Sequence, residues 1–313
     1  MTKRFNLLTL VGLSLIIGLL PSCGGKPNPK YEEAAKLFYA DESLQPIMEE
    51  QNGLFYNKTR KKLTPLFMSE QEAIDSLLEG NVYLIITTRR LTPTEVNVLK
   101  KKKLNARQQP LAYDGLALIV NGDNKDTIIT VNEFKKILTG EITTWKQINP
   151  DSPLDTIRVA FDNPASSTVR FCADSLLGGK PMKTDGNIRA VHSSCDVIDF
   201  VETHKDGMGI VGSIWLDNQR DTTNLTYKRN ITVMEVGNTP MVAVKPHQYF
   251  YATKEYPLRR TIWGICTDPR RYGNPRRFFN FLSNPGEQGQ LIFGHAGLYP
   301  AQGPYTIRDA VIE

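Results

Sequence analysis

The chain has 313 residues, a length that suggests two domains of ordinary size, and its composition (40% hydrophobic, 23% charged, 9% aromatic) is that of a globular protein. These values exclude a long disordered chain, a collagen-like or coiled-coil rod and a multi-span membrane protein. The net charge is +5, of which Lys3 and Arg4 supply two from a segment read below as removed, and the remaining surplus is too small to suggest nucleic-acid binding.

Lys3 and Arg4 precede an almost unbroken apolar run over residues 7–20, too short to span a bilayer. A basic start and a short apolar stretch are the layout of a secretory signal. Leu20-Pro21-Ser22-Cys23 follows and resembles a bacterial lipobox, in which the cysteine is diacylated and becomes the mature N-terminus. An ordinary signal with a chance cysteine is the alternative. Two acyl chains would hold the protein stably to a membrane, facing the periplasm of the cell envelope. The stretch after Cys23, Gly-Gly-Lys-Pro-Asn-Pro-Lys, reads as a polar tether. The expected division is a signal over 1–22, a tether over 23–30, a first lobe over 31–111 with 245–313, and a second over 112–244.

Leu37-Phe38-Tyr39-Ala40 reads as a short buried strand, running through Asp41-Glu42-Ser43 into a helix over 44–51. A strand over 63–68 leads to Ser69-Glu70-Gln71-Glu72, a helix start whose helix Gly80 closes. A third strand over 82–86 ends in Thr87-Thr88-Arg89-Arg90, and Pro93 opens a helix carrying Lys100 to its end as a solvated basic run. The second unit has a strand over 116–120, a helix opened at Thr130 and closed at Gly140, and a strand over 157–161. The loop from Asp162 to Thr168 follows, then helices around Phe171 and over 197–204 and a short strand over 209–211. After Val242-Ala243-Val244 the chain reaches a strand over 262–266 and helices over 275–282 and 286–293. Strands alternating with helices predict a parallel sheet covered on both faces.

Gly207-Met208-Gly209-Ile210-Val211-Gly212 matches the dinucleotide fingerprint G-x-G-x-x-G, but a helix precedes it and its apolar residues form the strand themselves. No P-loop, nucleophile elbow or histidine–cysteine cluster is present in the sequence, so no cofactor, metal or catalytic residue is expected. Cys172 and Cys195 either form one disulfide, which an oxidising envelope permits, or are thiols like Cys266. The thiol reading is preferred.

Several segments resemble, in order, the phosphate-binding protein of bacterial phosphate ABC transporters, within the wider periplasmic-binding-protein family. They are residues 114–121 (DGLALIVN), Leu138, Gly140, Ile142 and Trp145 in register within 130–148, residues 206–212, Tyr256-Pro257-Leu258-Arg259-Arg260, and residues 281–289 (FLSNPGEQG). The resemblance implies a type II periplasmic-binding-protein-like α/β fold of two interleaved lobes, joined by hinge crossings near Ala112-Tyr113 and near 242–246. It also implies a monomer that captures inorganic phosphate or a related oxyanion and serves an ABC permease and its ATPase. Its ligand-binding residues would be Ser43, Ser69, Thr88, Arg89, Ser166, Ser167 and Thr168, at strand ends and helix starts, where N–H groups and hydroxyls replace an anion's water shell. Arg89 is expected to matter most.

This sequence departs from the family's pattern at two loops. Asp41 and Glu42 stand where relatives carry glycine and serine, and Asp162 replaces an arginine, which Arg170 could restore by reaching back. A binding-module lipoprotein that has lost anion affinity, acting as a sensor or in adhesion, is therefore the rival reading. A phosphate-ester hydrolase is a third, weakened by the lack of an activated nucleophile.

Overall fold

The computed structural model describes residues 29–184, 186–216 and 230–302. The expected signal, Cys23 and all but the last two tether residues lie outside them. Pro29 and Lys30 already belong to a first helix, α1 (Pro29–Ala34).

The first lobe is built on three parallel strands, β1 (Leu37–Asp41), β2 (Thr64–Met68) and β3 (Leu84–Thr87), ordered β2-β1-β3. Helices α2 (Gln45–Thr59), α3 (Glu70–Glu79) and α4 (Pro93–Lys101) connect them. Ser69 and Thr92 close capping boxes with Glu72 and Glu95, and Gly80 ends α3 with φ +83°, a conformation that favours glycine.

The next strand, β4 (Arg107–Asn121), runs through both lobes. The second lobe continues with β5 (Ile128–Thr130), α5 (Val131–Thr139), β6 (Arg158–Phe161), α6 (Ser167–Phe171), β7 (Ile188–Ala190), α7 (Ser194–Thr203), β8 (Gly207–Gly212), β9 (Ile231–Val233) and β10 (Glu235–Gly237). The chain then returns through α8 (Gln248–Thr253), β11 (Arg259–Cys266), α9 (Asn274–Ser283), α10 (Gln288–His295) and β12 (Tyr299–Pro300). The central sheet is ordered β2-β1-β3-β11-β4-β8-β6-β7, with β9 and β12 also on β4.

The sheet is mixed rather than parallel. β11 runs antiparallel to β3 and β4, and β4 antiparallel to β8, because these strands carry the chain between the lobes and back. The strand expected over 116–120 is the second half of β4. Its first half, with Arg107, Gln108, Gln109 and Pro110, is too polar to read as a strand but pairs residue by residue with β11. The return crossing also lies later than 242–246. Tyr251, Tyr256 and Leu258, assigned by sequence to the first lobe, pack in one cluster with Leu116, Leu118, Phe134 and Trp145 of the second. Both crossings therefore lie side by side, with Asp114 opposite Arg260 and Gly115 opposite Arg259.

Cys172 and Cys266 are buried thiols, and no disulfide joins Cys172 to Cys195. The glycine-rich decoy is β8, buried along its length. A Cβ on Gly209 would lie 2.7–2.9 Å from side-chain atoms of Val197, Val201 and Ile119, so Gly209→Ala overpacks the junction of β8 with α7 and β4. It should lower stability by about 1–3 kcal/mol in a thermal or urea melt. An unchanged midpoint would contradict this packing.

Candidate functional site

Parallel strands deliver their C-terminal ends to one edge of a sheet. In the first lobe that edge presents Asp41-Glu42-Ser43 after β1, Ser69 after β2 and Thr88 after β3. In the second, β6 delivers Asp162 and the turn into α6. The two edges meet at the crossing strands, and the Oγ atoms of Ser43 and Ser167 lie 3.2 Å apart. Gly212, at the end of β8, permits this approach, since a Cβ there would sit 2.8 Å from the Ser43 carbonyl oxygen.

One buried cation organises the contact. Arg260 is 3% exposed and forms a fork on Asp114, Nε to Oδ1 at 3.2 Å and Nη2 to Oδ2 at 2.6 Å. Its remaining face turns to the hydroxyls. Nη1 donates to Ser167 Oγ at 3.1 Å, and both Nη atoms lie 3.5 Å from Ser43 Oγ. Asp41 completes the group. Its Oδ1 accepts from the Ser43 N–H at 3.1 Å, from the Ser167 hydroxyl at 2.8 Å and from the Ser43 hydroxyl. Two hydroxyls, an N–H and a nearby guanidinium thus converge on one carboxylate, an arrangement equally suited to an oxygen of an external anion.

The other expected residues have partners of their own. Ser166 caps α6, its Oγ 2.8 Å from Thr168 Oγ1, and Thr168 donates to Asp162 Oδ1 at 2.5 Å. The second oxygen of Asp162 is buried without a hydrogen-bond partner. Thr88 donates through N–H and hydroxyl to Glu70 (2.6 and 2.9 Å). Arg170 does reach back from the second lobe, with Nε 2.5 Å from Glu70 and Nη2 2.9 Å from Thr88 Oγ1. Ser69 is occupied as the cap of α3, donating to Glu72 at 2.7 Å. Arg89 grips both oxygens of Glu95 at 2.8 and 2.9 Å, and its Nε lies 3.8 Å from Glu70. Glu42 accepts from the N–H and hydroxyl of Ser194 at the start of α7.

Sequence reasoning passed over Arg260, Asp114 and Glu70 as site residues. Arg260 and Asp114 stood in quoted motifs, but only the register of β4 and β11 brings them together.

Burial and the negative charge of Glu70 push Asp41 up from 3.8 to about 6, against the Ser43 hydrogen bond and Arg260. Burial and Asp162 push Glu42 from 4.5 to about 7, and burial raises Asp162. Groups that hold protons more tightly when folded favour the folded state at low pH, and that contribution is lost as pH rises through the folded pKa. The contribution of Asp41 is therefore present below its ordinary range and lost by about pH 6. Asp41→Asn should flatten the fall of stability across this window, by on the order of 1–3 kcal/mol. Melting curves of both proteins between acid and neutral pH measure it, and identical slopes would contradict the assignment.

The phosphate-binding protein PstS of Staphylococcus saprophyticus is 24% identical over 280 residues, covering 88% of this chain and 82% of that protein. PstS of Borreliella burgdorferi is 24% identical over 294 residues, covering 90% and 94%. A solved structure from Clostridium perfringens, described as a phosphate ABC transporter substrate-binding protein with bound phosphate, superposes with a TM-score of 0.69 at 20% identity, over 84% of this chain and 98% of that one. Its likeness fixes the two-lobe fold. Residues 35–284 match the model of a PBP superfamily domain, and the chain belongs to the PBP superfamily.

Proposed function

We propose that the protein is a solute-binding protein that closes its two lobes on inorganic phosphate, or a related tetrahedral oxyanion, and passes it to an ABC permease driven by an ATPase. The observation that carries this reading is the convergence of Ser43, Ser167 and Arg260, two loops and a crossing strand, on one buried point. The names of the relatives, which are phosphate-binding proteins, point to the same solute. A monomer held by lipid on Cys23 and facing the periplasm completes the proposal, the lipid anchor resting on the sequence around Cys23.

Ser166, Thr168 and Thr88 supply further hydroxyls once the lobes part, and Ser69 would join them only by releasing Glu72. The cationic role moves from Arg89, which Glu95 neutralises, to Arg260 and to Arg170 beside Thr88. In this reading Asp41 competes with the ligand, because it holds the hydroxyls the anion needs. The same observation favours a second reading, a lipoprotein of non-transport role in which the carboxylate has permanently replaced the anion.

Calorimetric titration with phosphate and sulfate, after removal of bound ligand, separates the two. Capture predicts saturable phosphate binding that Arg260→Gln weakens by roughly 30-fold or more, the cost of losing a charged partner in a desolvated site. Ser167→Ala, a smaller change that keeps the fold testable, should cost about 1–3 kcal/mol. Arg89→Ala should have little effect, and Asp41→Asn should tighten binding. Heat from neither the wild type nor Asp41→Asn would leave the second reading in place.

A further inference from the structure

The end of the first lobe remote from the site contains a cavity of about 640 Å³. Its position follows from strand direction. Trp263 of β11 pairs with Thr87, next to the site, whereas Cys266 pairs with Leu84 and Arg107, and the Thr267 N–H bonds to the Tyr83 carbonyl. The segment after β11 therefore emerges at the start of β3, some 15 Å along the sheet from Thr88.

The walls include Lys103, Asn105, Arg107, Thr267, Arg271 and Arg276. Two of these present donors that are buried and unsatisfied. Thr267, 2% exposed, has no partner for its hydroxyl, and Arg276, 7% exposed, has none for Nε. Such groups lose their hydration on folding and regain hydrogen bonds only from something in the cavity. The one acidic wall residue, Asp268, is half engaged. Its Oδ1 accepts from the Tyr31 hydroxyl at 2.6 Å and the Arg270 N–H at 3.0 Å, while its Oδ2 is buried without a hydrogen-bond partner. Lys103, Arg107, Arg271 and Arg276 outnumber the single carboxylate of Asp268 in this wall, and with the Thr267 hydroxyl they suit an anion rich in acceptor oxygens.

The chain enters the fold beside this cavity. Arg270 stacks on Tyr31 of α1 with its guanidinium carbon 3.8 Å from the ring centre, and it pairs with Glu32 at 3.3 Å. Five residues separate Pro29 from Cys23, a reach of at most about 20 Å over six Cα–Cα steps.

We propose that this cavity is a second anion site, for a phosphate or phosphomonoester group, held by Arg107, Arg271, Lys103 and the Thr267 hydroxyl. A phospholipid headgroup at the membrane that the tether reaches and a free phosphate share this chemistry. The site is independent of the one between the lobes.

Full-length protein in neutral detergent, titrated with inorganic phosphate, should give saturable shifts of the Asn105, Thr267 and Asn280 amide resonances. Arg107→Gln/Arg271→Gln, both exposed, should weaken that response by about tenfold or more, while Ser43 and Ser167 resonances behave as in the wild type. A second arm places the protein in nanodiscs. Shifts with phosphatidylglycerol but not with phosphatidylcholine assign the headgroup as occupant, and shifts with free phosphate alone assign the soluble anion. Failure of the three resonances to respond to phosphate or phosphatidylglycerol, or a full response in the double variant, overturns the proposal. Failure at Ser43 and Ser167 alone would count against the capture reading and leave this one standing.

Discussion

A guanidinium cannot stay buried without a partner of opposite charge, and Arg260 is buried where the chain crosses between the lobes. Asp114, directly opposite on the neighbouring crossing strand, supplies that charge through two hydrogen bonds. The pair fixes how β4 and β11 sit together at the crossing. It also leaves Nη1 aimed at the serines that each lobe contributes. Removing either partner would strand the other charge, at a cost of about 3–5 kcal/mol. Crossing geometry and site geometry are thus one interaction viewed from two sides.

Around this pair the balance of charge is unusual for an anion site. Asp41, Glu42, Glu70 and Asp162 crowd the space where Arg260 and Arg170 provide the positive charge. Burial raises the proton affinity of three of these carboxyls, so protons take the place that a ligand's charge would otherwise contest. The hydroxyls of Ser43, Ser167 and Thr168 are satisfied internally by Asp41 and Asp162. In the capture reading proposed above, anion binding at this centre is an exchange of acceptors rather than the filling of an unsatisfied cradle. Arg170 on Glu70 adds a second contact between the lobes, and this holds them together in the same arrangement.

Local features were legible in the sequence because their causes are local. Ser69, Thr130 and Ser166 cap helices where their spacing to Glu72, Glu133 or the helix start implied, and Gly80 and Gly140 end them. β8 was legible as a strand despite its fingerprint-like glycines. The first half of β4 was not, because its polar residues derive their pairing from β11, about 150 residues later. Arg260 escaped for the same reason, since its significance lies in a cross-strand neighbour. The partner of Arg89 was legible in part. Glu95, six residues on and fixed by its capping box with Thr92, offers the guanidinium a bidentate carboxylate.

In the proposed capture, an anion binds on the Ser43–Ser167–Arg260 centre in place of the Asp41 carboxylate. Crystals of the protein grown with phosphate near pH 5, below the value of about 6 reached by Asp41, test it most directly. The expected result is a tetrahedral anion within hydrogen-bonding distance of Ser43 Oγ, Ser167 Oγ and Arg260 Nη1, with the Asp41 side chain displaced or protonated. Phosphate held elsewhere in the cleft, with Asp41 still bonded to both serines, would contradict it.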